Sequence, residues 1–233
     1  MNLNRAWPTL RLGVGRLRSG LRCCLRWCRL ARARVHAAAR VRLGCVGLAA
    51  LLVACGTPPP PPQLYQLRSP PPLAVQPLAA APTVQLLWPV AVPELLERDA
   101  IVVAQGQAGV QALPGHRWAE PLRDAVPRLL RQDLTLLLGD GRVWVAPLPA
   151  GLVVQRLLRV ELLTLQADAS RSSVQLQARW TLSDPAGRAP AATRVESLAV
   201  VVAGGDVDAV VVAHRQALWQ LAERLALVVA QSP

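Results

Sequence analysis

The side chains of this 233-residue chain that could do chemistry are five cysteines, three histidines and fourteen carboxylates. Cys23, Cys24, Cys28, Cys45 and Cys55 all lie at or before position 55, so nothing beyond that point can be stapled by a disulfide. Cys23, Cys24 and Cys28 resemble a metal cluster only superficially. No fourth ligand follows at a suitable spacing, arginines crowd them, and no metal site is expected. No Gly-x-Ser-x-Gly elbow, phosphate loop or His-Glu-x-x-His site occurs. After Cys55 the histidines are His116 and His214. His214 falls on the apolar side of a predicted helix without a nearby acidic or cysteine partner, which predicts a hydrogen-bonded, half-buried imidazole. Glu94, Glu97 and Asp99 cluster as in a solvated loop. The chemistry assigns no catalytic residue and no cofactor, and the chain is not expected to be an enzyme.

One cysteine remains to be explained. Leu43 to Ala54 is a charge-free run of twelve residues, preceded by Arg40 and Arg42 and closed by Cys55. A basic flank, a short apolar stretch and small residues make the layout of a secretory signal. Twelve helical residues rise about 18 Å, short of the roughly 30 Å a bilayer core requires. Leu52-Val53-Ala54-Cys55 resembles the lipobox of bacterial lipoproteins. That resemblance implies cleavage between Ala54 and Cys55 and acylation of the Cys55 sulfur, making Cys55 an anchor. Gly56 rather than Asp follows it, which by the same resemblance points to the outer membrane, with the mature protein facing the periplasm.

The formal charge of +12 suggests a nucleic-acid or membrane-surface binder until its distribution is read. Residues 1–55 hold eleven arginines and no acid; the remainder holds fifteen arginines against fourteen acids, near +1. The charge belongs to the leader, residues 1–54. Forty-two residues before the apolar run is long for a signal. Val35 or Val41 could be the true start; a start at Val35 would leave residues 1–34 as misassigned sequence and 35–54 as the signal peptide. Otherwise the stretch from Arg16 to Arg34 would be a basic helix for RNA or anionic lipid. No nucleic-acid partner is expected of the mature chain. Pro58 to Pro62 and Pro70 to Pro72 mark residues 55–82 as a lipidated, proline-rich spacer. Five prolines in a polyproline helix reach roughly 15 Å.

The folded domain is expected over 83–230. Thr83–Val90, Asp99–Ala104, Arg142–Ala146, Gln155–Ala167, Ser173–Ser183 and Thr193–Val202 read as strands. In Ser173–Ser183 the apolar residues Val174, Leu176, Ala178, Trp180 and Leu182 alternate with polar ones, the mark of a half-buried strand. Asp184-Pro-Ala-Gly187 reads as a turn between strands. From Trp118 to Leu138 apolar residues recur at helical spacing, with Pro121 suiting the first turn. Pro127 predicts a kink or a later start. Gly139-Asp-Gly141 ends that helix. A final helix runs from an Asp206 cap to about Val229. The fold class is α+β: a mainly antiparallel sheet of about six strands with two helices on one face.

The order of landmarks carries a further resemblance. After the lipobox come Leu64-Tyr65-Gln66-Leu67, Leu96-Glu-Arg-Asp-Ala-Ile-Val102, Arg117-Trp-Ala-Glu-Pro-Leu122, long alternating strands, and a terminal helix carrying Ala213-His214. Over roughly 55–230 the chain is similar to the ABC-type transport auxiliary lipoprotein family, the PqiC-like proteins. The resemblance implies a non-enzymatic partner of an MCE-domain protein with its ABC permease and ATPase. It also implies docking of that lipid transport complex at the outer membrane, with a ring of copies as one arrangement. Tyr65, Leu67, Arg98, Trp118 and Glu120 match the family motifs and read mainly as fold-forming, with Trp118 alternatively an interface anchor. Two other readings share the anchor. One is an assembly lipoprotein of another outer-membrane machine. The other is a lipid-anchored hydrolase with its acids far apart in sequence.

Overall fold

The computed structural model describes residues 60–68, 75–79 and 81–232. The leader, the lipobox Leu52–Cys55 and Pro70 to Pro72 lie outside the described residues. Three long strands form the frame: β6 (Arg156–Ala167), β7 (Ser173–Ser183) and β8 (Ala192–Val201), joined as antiparallel neighbours. Alternation in β7 puts Val174, Leu176, Ala178, Trp180 and Leu182 on the buried face and Gln175, Gln177 and Arg179 on the wet one. The turn to β8 is closed by Gly187 N–H donating to the Asp184 carbonyl at 3.0 Å, with Gly187 at φ 67°.

The other side of β6 is lined by one stretch of chain running parallel to it. β2 (Val84–Leu86) pairs with Arg156–Leu158, Ala91 bridges Glu161, and β3 (Ala100–Gln105) reaches Ala167 through Val103. A short 3-10 turn, Glu94–Glu97, interrupts this path; Glu94, Glu97 and Asp99 stand exposed there, as expected of a solvated loop. β3 then turns into β4 (Gly109–Trp118), which carries β1 (Gln63–Tyr65) in parallel on its far side; β5 (Val143–Trp144) lies parallel to β2.

The α+β class with two helices stands, and the longest pairings, β6–β7, β7–β8 and β3–β4, are antiparallel as expected; the sheet differs from the expectation in having eight strands and in taking up short parallel pairings, β1–β4, β2–β5, β2–β6 and β3–β6. The physical reason is connectivity. Parallel neighbours need long crossovers, and here the chain between β2 and β5 includes β3, β4 and a helix. Two strands had no counterpart in the sequence reading. β4 is exposed along most of its length and shows no apolar alternation, and β1 has only three residues. The sheet also takes in part of the stretch read as spacer, since Gln63–Tyr65 is already paired. The expected strand Thr83–Val90 shortens to Val84–Leu86, and Arg142–Ala146 to Val143–Trp144.

Helix α1 spans Leu122–Leu138, with Pro121 at its cap. It starts at Leu122 and runs through a buried Pro127, so the expected later start is not what occurs. A proline in the second turn gives up one bond, to the carbonyl four residues earlier. Gly139, at φ 101°, ends the helix by donating its N–H to the Thr135 carbonyl. Helix α2 spans Val207–Gln231; the Asp206 side chain accepts from Ala209 N–H at 2.8 Å. It packs across β6, β7 and β8, and α1 packs beside it. Leu218, Leu221, Leu225 and Val229 of α2 meet Leu158, Leu176 and Ala178 in one leucine-, valine- and alanine-rich core.

Candidate functional site

The motif residues near positions 65 and 118 are brought together by the β1–β4 pairing, which sets Tyr65 opposite Trp118. Ala119 N–H donates to the Tyr65 carbonyl at 2.7 Å and Trp118 N–H to the Asp99 carbonyl at 2.7 Å. The loop after β4 is thus held by β1 on one side and by the entry to β3 on the other. Glu120 Oε1 accepts from Arg128 Nη2 of α1 at 2.6 Å and from Gln66 Nε2 at 3.4 Å. The Tyr65 hydroxyl donates to Gln63 Oε1 at 2.8 Å, and its oxygen lies 2.9 Å from His116 Nδ1. Leu67 is buried. Arg98 is exposed at the end of the 3-10 turn.

Trp118 is buried, at 7 % exposure, and joins the hydrophobic core. Its ring meets the His214 imidazole edge-on at 5.6 Å between centroids. His214 is more deeply buried than the half-buried side chain expected. Its Nδ1 lies 2.7 Å from the Val210 carbonyl. Burial lowers its pKa to about 4, against a smaller opposing pull from that carbonyl, so the ring is neutral at pH 7 with Nδ1–H donating. This is the chemistry of a packed core side chain.

The next residue supplies what the sequence reading missed. Arg215 Nη2 donates to Asp133 Oδ1 of α1 at 2.6 Å, with both side chains buried, and its guanidinium lies 6.0 Å from the Trp219 ring centroid. Burial raises the Asp133 pKa, opposed by the hydrogen bond and charge of Arg215. The signal was present: Asp133 lies between Leu130 and Leu134 on the apolar side of its helix, and Arg215 flanks the apolar stripe of α2. The two are 82 residues apart, so neither names its partner.

Beside this pair an open groove of about 580 Å³ lies between the residues after β1 and α2, lined by Gln66, Arg68, Val211, Val212, Arg215 and Trp219 among others. Among the described residues no three His, Cys, Asp or Glu side chains are grouped to hold a metal ion. No helix among them is long and apolar enough to cross a membrane. Cys55, Leu52, Val53 and Ala54 lie outside the described residues.

The site is thus a corner where β1, the end of β4 and α1 are stapled together. The chain matches the family described as ABC-type transport auxiliary lipoprotein component over residues 65–226, and it belongs to that family. This is a family of transport auxiliary lipoproteins rather than an enzyme family, and its description ties it to ABC-type transport. Among solved structures the chain is similar to an uncharacterized protein at 20% identity, with a TM-score of 0.57 over 73% of this chain and 99% of that one. It is also similar to a Xanthomonas campestris protein of the DUF330 family, at 20% identity and a TM-score of 0.55 over 72% and 97% of the two chains. These likenesses share the fold. No curated protein matches the chain by sequence.

Proposed function

We propose that the chain is a lipid-anchored accessory subunit of an MCE-type ABC lipid transport system. In this reading it docks the transport complex at the outer membrane from the periplasmic side. The observation that carries the reading is the family match, which spans the sheet and both helices almost end to end. The lipobox supports it: Cys55 would hold the acyl chains, and the proline-rich stretch would set the domain off the bilayer. A single acyl chain anchors only marginally, so a multiply acylated cysteine is the form that would stay in place. The motif corner supports it too, because Tyr65, Leu67, Trp118 and Glu120 make a rigid scaffold, and a docking module needs a surface fixed in shape.

Affinity capture of the full-length chain from detergent-solubilised membranes tests the proposal. An MCE-domain protein co-purifying with its permease and ATPase is the expected result. Capture of a different envelope assembly machine, with no MCE-domain protein, would overturn it.

A further inference from the structure

β8 ends the sheet. It pairs with β7 along its whole length and, among the described residues, with nothing on its outer side. The ten-residue edge has no proline and no break in register, so its outer backbone groups form a regular row; the charges it carries are Arg194 and Glu196. The backbone direction can be read from one bond. Val202 N–H donates to Ser172 on the β7 side, so by alternation the N–H and C=O of Thr193, Val195, Ser197, Ala199 and Val201 point outward. Helix α2 covers the end of the strand at Leu198, Val200 and Val202, whereas Ala192 to Val195 are exposed on both faces. Val195, at 53% exposure, is a large apolar side chain at the centre of this open half.

We propose that this edge is a two-fold pairing surface between two copies of the chain, β8 against β8, antiparallel, with the axis through Val195. Charge favours this register over one centred on Arg194 or Glu196. Arg194 and Glu196 lie on the same face, two residues apart. An axis through Val195 sets Arg194 of each copy opposite Glu196 of the other, and the contact occurs twice. An axis through Arg194 or Glu196 would instead oppose like charges, which destabilises strand pairs. Trp180 Nε1 donates to Oε1 of Glu196 at 3.4 Å, and a carboxylate has capacity for a second donor. On the wet face Val195 meets its counterpart and Thr193 meets Ser197 of the second copy. Their outward backbone groups make hydrogen-bonded pairs, and the two sheets become one. This two-fold contact differs from a ring built by one repeated head-to-tail interface, and it rests on β8 alone, not on the transport reading.

The test uses the full-length chain extracted in detergent. A Val195→Cys chain is expected to cross-link through a tryptic peptide beginning at residue 195, since directly opposed strand residues lie within disulfide reach. A Val201→Cys chain, off the axis, is expected to cross-link several-fold less. By light scattering the unaltered chain should have the mass of two copies and Glu196→Arg that of one. Arg194→Glu combined with Glu196→Arg should restore two. A one-copy mass for the unaltered chain would overturn the proposal. So would a Glu196→Arg chain that keeps its assembly, a doubly swapped chain that stays at one copy, or equal cross-linking at 195 and 201.

Discussion

Two ion pairs in this fold have similar geometry and opposite surroundings. Between the helices, Arg215 meets Asp133 at 2.6 Å with side chains 6 % and 1 % exposed. On the wet face of the sheet, Arg179 meets Glu161 at 2.9 Å with side chains 49 % and 42 % exposed. Distance alone would rank them nearly equal; solvent separates them. Water screens the sheet pair and competes for both partners. The helix pair has given up its hydration, and removing one partner leaves the other charge buried. The helix layer is where this domain is brittle, and the wet sheet face is where it tolerates change.

The largest effect should come from breaking the helix pair. Asp133→Ala is expected to lower unfolding stability by about 3–5 kcal/mol in a denaturant titration. A loss as small as that at the sheet surface would erase the contrast. One residue before Arg215, acid should act through His214. Its folded pKa is about 4, and an unfolded histidine titrates near 6.5. Between those values the unfolded state binds more protons, so stability falls as pH drops from about 6.5 to about 4. The loss over the window is about 3 kcal/mol. A His214→Leu chain should lose that part of the pH dependence, and a profile that keeps it would assign the titration elsewhere. Smaller again is the cap of the same helix: Asp206→Ala removes the acceptor for Ala209 N–H and should cost about 1 kcal/mol. Smallest is Glu161→Ala on the wet face, expected to cost less than about 1 kcal/mol. Added salt should leave the Asp133→Ala effect nearly unchanged and shrink the Glu161→Ala effect, because exposed charges are screened and buried ones are not.

Legibility in the sequence divides along similar lines. β7 could be read residue for residue because its Val-Gln-Leu-Gln-Ala-Arg-Trp pattern records one dry face and one wet face. The Asp206 cap and both helices were legible for the same reason: local periodicity reflects local burial. β4 was not, because its membership comes from backbone pairing with β3 and β1, while its residues, including Pro114 and Gly115, are mostly exposed. The parallel arrangement of β2 along β6 was hidden too, since residues 84 and 156 meet only after a long crossover. At the motif corner, Tyr65 and Trp118 stood out as landmarks, but their mutual pairing did not. Arg128, Gln66 and Asp133 gave no sign of their partners, because a polar residue on a helix or loop looks alike whether water or a distant side chain satisfies it.

The central claim is that the working protein hangs from its cysteine as a tethered transport accessory. It is tested most directly by mass spectrometry of the N-terminal peptide from the membrane-extracted protein. A peptide that begins at Cys55 and carries acyl chains is the expected result. The arginine-rich leader would then be absent, leaving a chain of near-neutral charge. A protein that begins at or near Met1 with Cys55 unmodified would contradict it.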